Sequence, residues 1–179
     1  AVPAGEGGMA AIIGLDTESV EDCARKAHHE DEVCVLANYN APGQVVISGH
    51  LGAIHRACEL AKEAGAKRAL PLNVSAPFHS PLMQPAADKM EQALSDTKMQ
   101  DAAVPVIANV TADAVSDASI IRSLLVEQIT GSVRWSDSVL ALHDNGVTHT
   151  IELGTGKVLS GLVRRIAKDI STTSIEKPE

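Results

Sequence analysis

Short apolar runs and helically spaced apolar residues alternate in a fixed order over the first 74 residues, and that order admits few folds. Met9 to Leu15 is an apolar run bounded by glycines and Asp16, and reads as a strand. Thr17 or Ser19 can cap a following helix, whose apolar positions Val20, Cys23, Ala24 and Ala27 share one face. Val33 to Ala37 reads as a second strand and Asn38-Tyr39-Asn40-Ala41-Pro42-Gly43 as a turn cluster. Gln44 to Ser48 is then a third strand that closes a hairpin. Leu51, Ile54, Cys58 and Ala61 mark a helix that stops near Gly65, and Ala69 to Val74 is a fourth strand. The order β-α-β-β-α-β is the split βαβ pattern, so residues 1–74 are expected to form a ferredoxin-like unit.

Residues 75–179 have a different rhythm. Ser80 to Leu94 reads as a helix with Leu82, Ala86, Met90 and Leu94 on one face, and Val104 to Ala108 as a short strand. Asp117 can cap a helix running to Gln128, and Ser136 to His143 is helical. Val147 to Leu153 is a strand, Gly154-Thr155-Gly156 a tight turn, Lys157 to Lys168 a helix and Ser171 to Ile175 a last strand. Strands alternating with helices imply an open α/β sheet.

Aromatic residues make up 2% of the chain against 45% hydrophobic overall, so the core must be built from Ala, Val, Ile and Leu. Fifteen Lys and Arg against 23 Asp and Glu give a formal charge of -8, which argues against nucleic-acid binding by phosphate neutralisation. No run nears the roughly 18–20 apolar residues of a membrane span. No charged-then-apolar leader is present, and the expectation is a cytoplasmic protein. The opening Ala1-Val2-Pro3-Ala4-Gly5 has no Met and runs into a strand within a few residues, as either an interior fragment or a processed terminus would. Cys23, Cys34 and Cys58 are odd in number and lack metal-ligand spacing, so buried free thiols are expected.

Of the seven histidines, His79 has the setting that suits chemistry. It lies in Ser75-Ala76-Pro77-Phe78-His79-Ser80-Pro81, a strand-to-helix loop stiffened by two prolines, where α/β enzymes collect catalytic groups. An imidazole can take and give protons near neutral pH. The same histidine could instead cap the next helix or fill a turn. His28 and His29 stand in a charged His-His-Glu-Asp-Glu stretch that reads as a solvated loop. A Gly-x-Ser-x-Gly nucleophile elbow does not occur in the sequence. Gly154-Thr155-Gly156 before a helix is either a plain turn or a small anion cradle.

Several blocks together resemble the malonyl-CoA:acyl-carrier-protein transacylase family. They are Gly8-Met9-Ala10-Ala11-Ile12-Ile13-Gly14-Leu15, Asn38 to Gly49, Ala64 to Leu72, the loop around His79, Gln128 with Val133-Arg134-Trp135, and Glu152-Leu153-Gly154-Thr155-Gly156-Lys157-Val158-Leu159. The blocks follow family order over essentially the whole chain. The resemblance implies a ferredoxin-like small subdomain (1–74) followed by the C-terminal part of an α/β-hydrolase-like acyltransferase core (75–179). It also implies that the family's serine elbow, an oxyanion-hole Gln and a malonyl-binding Arg precede this stretch, so this chain alone is expected to be inactive.

The implied chemistry is transfer of malonyl from CoA through a malonyl-serine to the phosphopantetheine thiol of acyl carrier protein, in fatty acid biosynthesis. Malonyl-CoA is then a substrate, acyl carrier protein the partner, and no cofactor or metal is called for. By the resemblance His79 is the base and Gln128 holds its ring through a backbone carbonyl. Phe78 walls a pocket that admits malonyl and excludes branched extenders. Read locally, Gln128 is equally an ordinary helix end and Phe78 a core filler. Thr155 stands where the family usually has Pro. Lys157, Arg164, Arg165 and Lys168, with Lys62, Lys67 and Arg68, could meet an acidic carrier or CoA phosphates, or be solvated faces. The alternative to an enzyme is a non-catalytic ferredoxin-like module that binds a ligand or carrier protein.

Overall fold

The computed structural model describes residues 2, 3 and 5–177; Ala1 and Ala4, part of the opening stretch read above as an interior or processed start, lie outside the described residues. The first half runs β1 (Gly7–Ile13), α1 (Thr17–Ala27), β2 (Cys34–Ala41), β3 (Gln44–His50), α2 (Leu51–Glu63), β4 (Arg68–Pro71). Its four strands form one antiparallel sheet in the order β2-β3-β1-β4. Alternation along the strands decides which residues meet the helices. Ala10 and Ile12 of β1, Leu36 of β2, and Val45 and Ile47 of β3 join Val20, Cys23 and Ala27 of α1 and Ile54, Ala57 and Ala61 of α2 in one aliphatic core. Ile12, Ile47, Ile54, Val20 and Val45 are fully buried, each contributing about 1.5–3 kcal/mol of transfer free energy. Met9, Ala37 and Val46 cluster on the opposite face.

Three local readings change. The cap of α1 is Asp16, whose carboxylate accepts from Ser19 N at 2.8 Å, rather than Thr17 or Ser19. The strand expected to end at Ala37 continues through Asn38-Tyr39-Asn40 to Ala41, leaving only Pro42-Gly43 as the hairpin turn, with Gly43 at φ 72°. Tertiary pairing overrides the turn-forming composition there, because Tyr39 N donates to Val133 O at 2.9 Å. β4 stops at Pro71, three residues short of Val74: its ladder with β1 spans Arg68 to Pro71, and one further bond, from Leu72 N to Met9 O at 2.9 Å, ends the pairing.

The second half contains a 3₁₀ turn (Pro81–Met83), α3 (Gln84–Ser95), β5 (Val106–Ile107), β6 (Ala114–Val115), α4 (Ala118–Glu127), α5 (Trp135–Asp144), β7 (His149–Leu153), α6 (Val158–Ile166) and β8 (Ser171–Ile175). The helix expected from Ser80 begins four residues later, since Pro81 and Pro85 remove two backbone donors and are accommodated only in first turns. The expected open sheet is absent among the described residues. Val106 and Ile107 pair instead with β6 in a short antiparallel hairpin, and β7 and β8 form a separate parallel pair joined through α6. Ile151, Leu153 and Ile175 are exposed, while Glu152, Thr172 and Ser174 turn towards α6. Val139, Val163, Ala167 and Ile170 make the small core between α5, α6 and β8.

Among the described residues the halves meet at several places. Val133 bridges to Asn38 on the free edge of β2. Arg165 of α6 reaches the hairpin, donating to Gln44 Oε1 at 2.5 Å and Pro42 O at 3.1 Å. Pro77 is fully buried against Gly7, where an added Cβ would lie 2.5 Å from the proline ring.

Candidate active site

The loop carrying His79 is held on both sides. Pro77 packs on Gly7, and the buried hydroxyl of Ser80 donates to Pro77 O at 2.7 Å. Between these anchors His79 has φ 58°, the left-handed region that costs an L-residue roughly 1–2 kcal/mol. Strain of this kind persists only where the surroundings enforce it, and it collects at functional positions.

Enforcement comes from 49 and 52 residues further along the chain. His79 Nδ1 lies 2.8 Å from Gln128 O and 3.1 Å from Gly131 O. Carbonyl oxygens accept and never donate, so Nδ1 carries the hydrogen and shares it between the two. The lone pair of the neutral ring is thereby on Nε2, the tautomer a general base needs. Gln128 is the C-cap of α4, where the last carbonyls have no partner within the helix, and Gly131 lies in the turn that follows. Gln128 caps α4 through its N–H to Leu124 O, which leaves its own carbonyl for the imidazole. The C-terminal end of the helix also presents partial negative charge to the ring.

The Gln128 side chain is used as well: Asn109 Nδ2 donates to its Oε1 at 3.0 Å. Gly131 has no room for a Cβ, which would sit 2.9 Å from Val110 Cγ1 and 3.0 Å from Glu127 O. Asn109, Gly131 and the Ser80 anchor were not found by sequence reasoning. The glycine that follows α4 was the available signal for Gly131. Asn109 and Ser80 carry none, because their partners are remote or generic.

His79 and Gln128 are thus brought together, while Phe78 points outward with 40% of its surface exposed. The Gly154-Thr155-Gly156 segment is a turn with both glycines at positive φ, 124° and 89°. Its helix N-terminus is filled by the chain itself: Glu152 accepts from Leu159 N at 3.0 Å and Ser160 N at 2.8 Å. Hydrogen bonds from Ser160, then from Leu159, hold the Glu152 carboxyl below its ordinary range. Among the basic residues, Lys62 pairs with Glu59, Arg164 donates to Thr172, and Arg165 ties the two halves. His50 is structural, its Nδ1 accepting from Val33 N at 2.9 Å.

A histidine whose Nδ1 is tied to two carbonyls, leaving Nε2 free, is an arrangement that group-transfer and hydrolytic enzymes use. Residues 2–175 match the family model described as acyl transferase domain, and the chain belongs to that family. It is 49% identical over 179 residues, its whole length, to malonyl CoA-acyl carrier protein transacylase of Bacillus subtilis, covering 56% of that relative. Its fold is similar to the crystal structure of an acyl carrier protein S-malonyltransferase from Vibrio cholerae, with TM-score 0.94, 44% identity, and coverage of 99% of this chain and 57% of that one. A second similar structure, at TM-score 0.94, 41% identity and coverage of 99% and 57%, is a malonyl-transacylase in complex with a type II PKS acyl-carrier protein. The chain therefore spans a little over half the length of the relatives it matches.

Proposed function

We propose that this chain is the histidine-bearing portion of a malonyl-CoA:acyl-carrier-protein transacylase acting in cytoplasmic fatty acid biosynthesis. In this reading residues 1–74 are a ferredoxin-like small subdomain and residues 75–179 belong to an α/β-hydrolase-like core. The observation that carries it is His79, whose Nδ1 is tied to two carbonyls so that Nε2 is free, within a chain so similar to the transacylases.

The reaction is the one that the likeness to the transacylases implies, with the free Nε2 of His79 as its base. His79 Nε2 takes the proton of a serine hydroxyl supplied by another segment, and the serine oxygen attacks the malonyl thioester carbonyl. As the tetrahedral intermediate collapses, the imidazolium gives its proton to the departing CoA thiolate. The carrier's phosphopantetheine thiol then loses its proton to Nε2 and attacks the malonyl-serine. The serine oxygen leaves and recovers the proton. The partial negative charge of the Gln128 and Gly131 carbonyls faces the ring while it is charged, the part an aspartate plays in other triads. Phe78 walls the acyl pocket and disfavours branched acyl groups. No cofactor enters; malonyl-CoA and acyl carrier protein are the two substrates.

The test is to complete this chain with the leading segment of the Bacillus subtilis relative and follow radiolabelled malonyl from CoA to protein and then to carrier. Covalent labelling and transfer are expected, with His79→Ala slower by about 10²–10⁴-fold. Labelling of His79→Ala at the normal rate would remove His79 from the role of base. Carrier binding without any transfer would favour the non-catalytic module instead.

A further inference from the structure

Both carbonyls that orient His79 belong to residues 128–131, and the residues that follow are fastened to the other half of the molecule. Ser132 Oγ donates to Leu36 O at 2.6 Å, Val133 N donates to Ala37 O at 2.8 Å, and Tyr39 N donates to Val133 O at 2.9 Å. All three bonds fall on β2, an edge strand of the four-stranded sheet.

The strand is shaped for this contact. Leu36 pairs with Ile47 and Asn38 with Val46, so Ala37 is an extra residue bulged out of register with β3. A bulge re-aims backbone groups that a regular ladder would hold in line. The bulged Ala37 is the residue whose carbonyl receives Val133 N. On the opposite side Asn109 grips both ends of the segment, by Nδ2 to Gln128 Oε1 at 3.0 Å and by its carbonyl from Arg134 N at 2.9 Å. Without such fastening, a segment just past a helix end is among the more mobile parts of a fold.

We propose that residues 131–133 are a strap through which the small sheet positions the base, with Ser132 as a positioning residue for His79. The Gly131 carbonyl is the peptide group that joins Gly131 to Ser132, so the bonds that hold Ser132 and Val133 on Leu36 O and Ala37 O also fix where that carbonyl points towards the imidazole. Ser132 touches neither the ring nor the substrate. Its effect on the reaction is wholly through the carbonyl of the preceding residue. The proposal rests on His79 being the base, and the test separates the two.

In the 179-residue chain, proton NMR of the His79 Nδ1–H reports the strap directly and needs no activity. The native chain is expected to show a downfield, slowly exchanging signal. Ser132→Ala is expected to shift it upfield and speed its exchange, and Ser132→Thr, which keeps the hydroxyl, to restore it. In the completed transferase, Ser132→Ala is expected to lower kcat roughly tenfold, the scale of one lost hydrogen bond, with KM for malonyl-CoA within twofold and Ser132→Thr near normal. An unchanged Nδ1–H signal in a folded Ser132→Ala chain overturns the strap. So does an equal loss in the alanine and threonine variants accompanied by a lowered melting temperature, which marks a packing role. A strap-dependent NMR signal in a completed protein that transfers no malonyl leaves the strap standing and removes the transacylase reading.

Discussion

The Nδ1 atom of His79 lies 2.8 Å from the main-chain carbonyl of Gln128, 49 residues later in the chain, at the C-terminal cap of a ten-residue helix. An acceptor made of backbone has no charge to be titrated and no side chain to be mutated away. Its position depends on where α4 ends, which makes the orientation of the histidine a property of the fold rather than of one partner residue. The same geometry exacts strain at His79, whose φ is 58°.

That strain should be measurable as stability. Replacement by alanine or glycine removes the ring alike, but only alanine keeps a Cβ in the left-handed region. Set against the larger chain entropy of glycine when unfolded, the balance favours His79→Gly over His79→Ala by about 0.5–1 kcal/mol. Calorimetry should place the glycine variant about 2 °C higher; the reverse order would show that the loop relaxes once the ring is gone.

Gly49 is the position where any side chain should do most harm. An added Cβ would lie 1.9 Å from Val33 O and 2.8 Å from Val33 C, and that carbonyl is already fixed by His50 N at 2.9 Å. Since backbone rather than a flexible side chain stands in the way, Gly49→Ala is expected to cost at least about 3 kcal/mol. A melting temperature within 2 °C of the native chain would contradict the close approach of β2 and β3 at this point.

Acid should weaken the protein through its helix caps. Glu152 at α6, Asp16 at α1 and Asp117 at α4 all accept backbone N–H groups, and each carboxyl is lowered by those hydrogen bonds and by neighbouring serines. A group whose folded value lies below its unfolded one stabilises the fold at higher pH and loses that contribution as pH falls through the folded value. The decline should begin near the ordinary values of 4.5 for Glu152 and 3.8 for the aspartates, and continue below them. Denaturant titrations from pH 6 to pH 3 should show a shallower acid decline in Glu152→Gln; an identical slope would mean the cap does not form.

The three thiols should be silent until the chain unfolds. Burial pushes the Cys34 thiol up to about 12 and raises Cys58 and Cys23 as well. Alkylation by iodoacetamide at pH 8, read by intact mass, should add nothing to the folded chain over minutes and three groups in denaturant. Rapid modification of Cys34 in the native state would show that the α1–β2 layer opens.

Local pattern carried much of the first half. The apolar positions of α1 and α2 sit at helical spacing, and their inward residues are those that the core uses. Asp117 before α4 was legible for the same reason, since a cap acts within three residues. Asn38-Tyr39-Asn40 misled because a turn-like composition was recruited into an edge strand by Val133, almost a hundred residues away. The second half lost its expected open sheet because alternation tells which residues could pair, not whether a partner strand lies alongside. For the site, the loop chemistry singled out His79 and the family resemblance pointed to Gln128. The carbonyl of Gly131, the Asn109 side chain and the anchors on β2 lie beyond any local signal, since backbone acceptors leave no residue type to recognise.

The Val133 bridge also bears on how such proteins can be recombined. A chimaera cut between β4 and the loop that carries His79 would import a foreign β2 while retaining the native Ser132 and Val133. The crossover would look clean in an alignment and yet part the bulge at Ala37 from the backbone it was shaped to receive. The unit of exchange is therefore discontinuous in sequence, the small sheet together with residues 131–133.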